Sequence, residues 1–277
     1  MPEKFTYVNG HIVRYLDVGP PNSKILIVLQ GFGGFVSTWS KVIPVLSEYY
    51  RVIIPDIVGL GYSDKPTVEY TMDFLIDFLD EFLSNLQISK TSIVGSSFGG
   101  HLATEFAIRY NRMVDKLVLA SPAGMMRTST PVLDSYIMAA LYPTHDNAAK
   151  ALKDMVYNPN VVDEGVIIDF VNTLRLPKAK YAFMSILLGL RYARKLQGRL
   201  SDITAPTLVV WGNDDRMISA DYARHYNEIP KMWLEIIDYC GHILHLEKPI
   251  EFSEIILRFL GGGYDQNRIY PSSFYQY

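Results

Sequence analysis

The chain is poor in several features that mark particular classes of protein. One of its 277 residues is cysteine, Cys240, which excludes an intrachain disulfide. Lys and Arg number 26 against 29 Asp and Glu, so the net charge of −3 does not favour a nucleic-acid or anionic-membrane partner. Apolar runs stay short of the roughly 18 residues of a membrane span, and residues 1–10 lack the basic-then-apolar pattern of a secretory signal. We therefore expect a soluble cytoplasmic protein, monomeric or homodimeric, without nucleic-acid or membrane partners.

The chain has enough apolar residues to form a large core, because 49% of its residues are hydrophobic and 20% are charged. Continuous β-forming apolar runs, typical of strands buried on both faces of a parallel sheet, alternate with helical patterns. A hairpin centred on Asn9-Gly10 precedes the predicted strands, which lie at 24–31, 50–56, 91–97, 116–122, 206–212 and 232–239. The helical patterns lie at 72–86, 99–110 and 249–260. This alternation predicts an α/β fold with a mostly parallel sheet flanked by helices.

One interval breaks the alternation. Residues 123–204 contain helical segments rich in Met, Leu, Tyr and Phe and lack a convincing strand pattern. We interpret them as a helical lid (cap) over the carboxyl edge of the sheet, where open α/β sheets bind ligands. The predicted core is then 1–122 together with 205–260, and the polar and aromatic tail 261–277 is assigned no function.

The stretch GSSFGG contains a G-x-S-x-G motif with Ser97 at its centre. The motif alone is weak, but here it follows a predicted strand and opens a predicted helix, the context that a nucleophile elbow requires. Gly95 and Gly99 provide the small neighbours of such a tight turn. We therefore predict Ser97 as a nucleophile and interpret Ser96 as a small residue that fits the turn.

A serine nucleophile needs a base and an acid that orients it. Among the six histidines, His242 is best placed, because it follows the last predicted strand at the same edge of the sheet. Asp214 and Asp215 both follow the strand at 206–212, and we favour Asp215 while Asp214 stays open. The order Ser…Asp…His is the one found in α/β-hydrolases.

The glycine-rich loop QGFGG follows the first long strand and predicts half of an oxyanion hole. The amide of Phe32, or failing that of Gly33, is the candidate donor there, and the amide of Phe98 is the second donor. The loop matches neither a phosphate-binding P-loop nor G-x-G-x-x-G. The histidines and the cysteine lack metal-ligand spacing. We therefore expect neither a cofactor nor a metal.

These motifs, with PDIVGLGYSDKP at 55–66 and the pair WGNDDR and CGH, make the chain similar to the α/β-hydrolase superfamily from about residue 5 to 260. The resemblance implies an eight-stranded sheet with the lid inserted after strand 6. It also favours Asp215, since the family's acid stands three residues after the glycine at this strand end. Within the superfamily the sequence resembles lidded serine esterases and meta-cleavage C–C hydrolases. Dehalogenases and epoxide hydrolases are disfavoured because they have Asp at the position of Ser97.

Three departures from family patterns bear on function. The C–C hydrolases typically have Asn before the nucleophile and Trp after the histidine, where this chain has Ser96 and Ile243, and the oxyanion loop opens with Gln30 instead of His. We therefore expect a serine esterase that cleaves carboxylic esters of small to medium apolar acyl groups through an acyl-enzyme. The alternatives are a lactonase (including acyl-homoserine lactones), a meta-cleavage C–C hydrolase and a non-catalytic ligand-binding receptor of the same fold.

Overall fold

The computed structural model of the chain describes residues 3–33 and 36–264. Eight strands form one sheet in the order β1-β2-β4-β3-β5-β6-β7-β8. The strands are β1 (Glu3–Val8), β2 (His11–Val18), β3 (Ile25–Leu29), β4 (Arg51–Pro55), β5 (Thr91–Ser96), β6 (Val114–Ala120), β7 (Thr207–Gly212) and β8 (Met232–Ile237). The pairs β1–β2 and β2–β4 are antiparallel, and all others are parallel. The predicted α/β-hydrolase fold with an eight-stranded, mostly parallel sheet is confirmed.

The central strands are continuous apolar runs because helices cover both faces of the sheet, so that the side chains on both faces of each strand are buried. All six residues of β5 and of β7 are buried. In the register of the sheet, Gly95 on β5 pairs with Leu29 on β3 and with Leu119 on β6. The edge strand β1 is mostly exposed, and its turn to β2 uses Asn9 and Gly10 with φ of 50° and 80°, as a two-residue hairpin requires.

Nine α-helices accompany the sheet within the described residues. They are α1 (Ile43–Leu46), α2 (Met72–Asn85), α3 (Phe98–Arg109), α4 (Pro131–Leu141), α5 (His145–Asp154), α6 (Glu164–Arg175), α7 (Ala179–Tyr192), α8 (Leu244–Glu247) and α9 (Pro249–Leu260). Thr71 caps the start of helix α2, where its side chain accepts a hydrogen bond from the Phe74 amide. Of these described helices, none is both long and apolar enough to cross a membrane.

Helices α4 to α7 lie between β6 and β7, so the interval predicted as a lid is helical and follows strand 6. Side chains from these helices tie them to loops of the sheet region. Asp169 on α6 accepts hydrogen bonds from Ser37 (2.9 Å) and from the Tyr62 hydroxyl (3.1 Å). Tyr181 on α7 donates to the Val68 carbonyl (3.1 Å). The division at 123–204 stays a prediction, and most of the predicted tail, 265–277, lies outside the described residues.

Candidate active site

Ser97 sits in a strained turn between β5 and α3. Its φ of 52° and ψ of −116° lie outside the regions that an L-residue prefers. Three backbone hydrogen bonds hold this conformation: the Ser97 amide donates to the Ala120 carbonyl, while the Ser97 carbonyl accepts from the amides of His101 and Ala123. Strain that is fixed by its surroundings is typical of functional sites. Here the turn carries the Ser97 hydroxyl into a cavity at the carboxyl edge of the sheet.

Gly95 and Gly99, the two glycines of the motif, lie where two backbone segments are too close together for a side chain. A Cβ on Gly95 would lie 2.4 Å from the Gly99 carbonyl oxygen. A Cβ on Gly99 would lie 2.2 Å from the Leu29 carbonyl oxygen on β3. Helix α3 is therefore pressed onto the sheet, and its first residues lie beside the loop that follows β3.

His242, in the loop after β8, is the histidine that meets Ser97. Its Nε2 lies 2.9 Å from Ser97 Oγ. Its Nδ1 lies 2.8 Å from Asp215 Oδ2, and the His242 amide donates to the Met155 carbonyl at 2.7 Å. His242 is 2% exposed, and these three contacts hold its imidazole in one place at the wall of the cavity.

Of the two adjacent aspartates after β7, Asp215 is the one whose carboxylate contacts His242 in the part of the chain that the structure describes. Its role as the orienting acid stays a prediction. While Asp215 Oδ2 faces His242, Oδ1 accepts from the amides of Met217 and Ile218, both at 2.9 Å. These two amides fix the carboxylate and satisfy its second oxygen. The structure thus brings together the three residues predicted as a catalytic triad.

The two predicted oxyanion donors lie on either side of this serine. Phe98 is the first residue of α3, and Phe32 lies in the loop after β3 with its ring 5.7 Å from the ring of Phe98. Both residues line the cavity with Ser97. Among the described residues, neither the Phe32 nor the Phe98 amide forms a backbone hydrogen bond. Their assignment as oxyanion donors stays a prediction.

Gln30, which opens the oxyanion loop, is buried at 2% exposure and points its amide group to Asp56 (Nε2 to Oδ1, 3.4 Å). Asp56 also accepts from the Tyr62 amide at 2.8 Å and lies 3.2 Å from Arg14 Nε. Burial raises the pKa of Asp56 to about 6, against the opposing charge of Arg14. The glutamine therefore braces the loop from behind, as its hydrogen-bonding capacity suggested.

The cavity has a volume of about 710 Å³ and opens between the sheet edge and the lid. Its lid wall is mostly apolar, with Leu133, Ile137, Met184, Leu187 and Leu188. Part of the apolar content of residues 123–204 therefore lines the cavity. Arg127 and Arg191, both exposed, also line the cavity, and no sequence pattern predicted this.

His245 is a buried residue in the wall of the cavity. It lies in α8, stacks on Trp39 at 4.0 Å between ring centroids, and faces Thr38 Oγ1 with Nε2 at 3.1 Å. Burial lowers the pKa of His245 to about 3, with a further contribution from His242. A neutral imidazole is therefore packed three residues from the candidate base.

Tyr136 is the second residue that sequence reasoning missed. It lies on α4, is 3% exposed, and donates its hydroxyl proton to the Phe32 carbonyl in the oxyanion loop. An aromatic residue at helical spacing in a lid gives no sequence signal for such a contact.

Among the described residues, no group of three or more His, Cys, Asp or Glu side chains is arranged to hold a metal ion.

Comparisons with known proteins agree with this fold. A family model described as "alpha/beta hydrolase fold" matches residues 24–151. The 2-hydroxy-6-oxo-6-(2'-aminophenyl)hexa-2,4-dienoic acid hydrolase of Metapseudomonas resinovorans is 30% identical over 275 residues, covering 96% of this chain and 93% of that protein. The 2-hydroxy-6-oxo-2,4-heptadienoate hydrolase of Pseudomonas putida is 31% identical, covering 88% and 91%. The solved meta-cleavage product hydrolase of Pseudomonas fluorescens superposes with a TM-score of 0.85 at 27% identity, covering 94% and 98%.

Proposed function

Because this chain belongs to the α/β-hydrolase family, we propose that it is a serine hydrolase in which Ser97 is the nucleophile. The observation that carries the proposal is the unbroken hydrogen-bonded line from Asp215 through His242 to Ser97, with contacts of 2.8 and 2.9 Å. The nucleophile, base and orienting acid of acyl transfer need this geometry.

In the proposed mechanism, His242 Nε2 takes the proton from Ser97 Oγ as the oxygen attacks a substrate carbonyl carbon. Asp215 keeps the Nδ1–H tautomer of His242 and stabilises the imidazolium that forms. The carbonyl oxygen becomes an oxyanion between the amides of Phe98 and Phe32, where the positive end of α3 adds to its stabilisation. The imidazolium then gives its proton to the leaving group, and water, activated by the same base, resolves the acyl-enzyme.

For the substrate we place carbon–carbon bond hydrolysis of a dienoate first, because the two relatives above are named as hydrolases of such compounds. The bond between the attacked ketone carbon and the dienoate chain would break, with its electron pair going to the chain and the proton of His242 quenching it. A dienoate also carries a carboxylate, and Arg127 and Arg191 line the cavity where they can meet it.

Ester hydrolysis, the activity that the sequence favoured, is the second candidate. The observations that support it are Ser96 and Ile243, where meta-cleavage hydrolases typically have Asn and Trp, and the apolar lid wall of the cavity. An apolar wall accommodates an acyl chain without a charged partner. Lactones, including acyl-homoserine lactones, share the same carbonyl chemistry.

A substrate panel tests both candidates. Wild type, Ser97→Ala and the neighbouring control Ser96→Ala would be assayed with 2-hydroxy-6-oxo-hexadienoates, short nitrophenyl esters and lactones. We expect turnover by wild type and by Ser96→Ala, and at least a thousandfold less by Ser97→Ala. The dienoate assignment requires a higher kcat/KM for a dienoate than for every ester and lactone. Undiminished activity of Ser97→Ala contradicts the serine mechanism for all three substrate classes.

A further inference from the structure

Tyr136, a residue of the lid, contacts the oxyanion loop at the peptide between Phe32 and Gly33, the two residues of this loop whose amides are candidate donors. The Tyr136 hydroxyl donates to the carbonyl of Phe32, which belongs to the peptide between Phe32 and Gly33. In a trans peptide the N–H points opposite to the C=O. Fixing the Phe32 carbonyl towards the lid therefore turns the Gly33 N–H away from the lid and limits the rotation of Phe32.

The loop needs such a restraint because this peptide is free to reorient. Gly33 has a φ of +95°, and glycine adopts positive and negative φ with similar ease. Rotation of the peptide plane would exchange the directions of the Phe32 carbonyl and the Gly33 amide at low cost. A hydrogen bond to one of the two groups selects one orientation.

Packing of the lid against Phe32 reinforces that orientation. The ring of Phe32 stacks on Phe183 of α7, with centroids 4.1 Å apart and an interplanar angle of 22°. Tyr136 packs edge-on against Phe170 of α6, with centroids 5.5 Å apart. Two lid helices, α4 and α7, thus contact Phe32, and α6 supports Tyr136. Phe32 in turn lies against Phe98 beside the nucleophile.

Tyr136 is suited to be a permanent donor. It is 3% exposed, so water does not compete for its hydroxyl, and burial holds the pKa of that hydroxyl well above its ordinary value. The raised pKa favours the protonated phenol, which is the form that can donate. The hydroxyl reaches a carbonyl of the loop rather than the reacting atoms, so its effect on the reaction is indirect.

We propose that Tyr136 is a positioning residue through which the lid sets the oxyanion loop: by holding the Phe32 carbonyl, its hydroxyl restricts the rotation of Phe32, whose amide is the predicted oxyanion donor. The inference rests on the proposed serine-hydrolase function, since it concerns the oxyanion of that reaction. It implies that docking of α4 and α7 completes the catalytic site as well as enclosing the substrate.

The test is Tyr136→Phe, which removes the hydroxyl and keeps the ring. Tyr181→Phe is the matched control, because it removes another lid hydroxyl that donates to a backbone carbonyl, away from the cavity. We expect kcat of Tyr136→Phe to fall about three- to tenfold, the effect of one net hydrogen bond, with KM within about twofold of wild type. Tyr181→Phe should leave both constants unchanged.

Two further measurements separate positioning from general stability. Inhibition by an alkyl trifluoromethyl ketone, whose serine adduct bears an oxyanion, should weaken in Tyr136→Phe by the factor lost in kcat. Amide hydrogen exchange at Phe32 and Gly33 should quicken in Tyr136→Phe and not in Tyr181→Phe. Unchanged exchange at the loop, or a loss confined to KM, overturns the role of Tyr136. Failure of the serine mechanism itself shows elsewhere, as activity retained by Ser97→Ala.

Discussion

Replacing Asp215 by asparagine tests the triad with almost no change of shape. Two amides, those of Met217 and Ile218, donate to Asp215 Oδ1, so the asparagine carbonyl oxygen has to occupy that place. The NH2 group then faces His242 Nδ1, which lies 2.8 Å from the other carboxylate oxygen. Two donors cannot share that contact, and Nδ1 must become the acceptor.

The proton of the imidazole is thereby moved to Nε2, the atom 2.9 Å from Ser97 Oγ. A protonated Nε2 cannot accept the serine proton, so the base is lost while its position is kept. Asparagine at the acid position of a serine triad lowers kcat about 10⁴-fold, equivalent to about 5 kcal/mol of barrier. We expect the same size of loss here.

The assay is kcat for the best substrate of the panel, with thermal unfolding to show that the variant is folded. Asp214→Asn is the matched control, since it makes the same chemical change at the residue before, whose carboxylate does not contact His242 among the described atoms. Its kcat should stay within about threefold of wild type. If Asp215→Asn keeps a tenth of the wild-type kcat, or if Asp214→Asn loses as much, the tautomer argument is refuted.

Two other predictions concern the support of the site. A Cβ on Gly99 would lie 2.2 Å from the Leu29 carbonyl oxygen, so Gly99→Ala should lower the free energy of unfolding by about 2–3 kcal/mol in urea titrations. The control Gly165→Ala, whose Cβ would meet only a side-chain oxygen at 3.2 Å, should not destabilise, and equal losses contradict this. Burial lowers the pKa of His245 to about 3 in the folded chain. Below pH 6.5, His245 therefore binds a proton in the unfolded chain but stays neutral in the folded chain. Relative to His245→Gln, wild type should therefore lose about 1.4 kcal/mol of stability per pH unit between pH 6 and 4, and parallel curves would refute a neutral buried His245.

The sequence was sufficient where local pattern and chain order decide the structure. Buried apolar runs predicted the parallel strands, and Asn9-Gly10 predicted the hairpin. Ser97 and His242 were predicted to lie together because each follows a strand, and parallel strands bring their carboxyl ends to one edge. The position after a strand did not separate Asp214 from Asp215, because adjacent residues in one loop differ only in the direction of their side chains, and the family spacing was what favoured Asp215.

The remaining features depend on contacts between residues far apart in sequence. Tyr136 reaches Phe32 across 104 positions, and His245 reaches Thr38 across 207. Neither contact follows from periodicity, since both residues look like ordinary members of a helix face. The order of the substrate candidates also changed, because Ser96 and Ile243 argue for esters while the named relatives act on dienoates.

The central claim is that Ser97 attacks the substrate, and covalent labelling tests it most directly. Wild type, Ser97→Ala and Ser96→Ala would be treated with a fluorophosphonate and examined by intact-mass and peptide-mapping spectrometry. The account predicts one phosphonyl group per chain, located on Ser97, in wild type and in Ser96→Ala, and none in Ser97→Ala. A phosphonyl group on Ser96, equal labelling of Ser97→Ala, or an unlabelled wild type would contradict it.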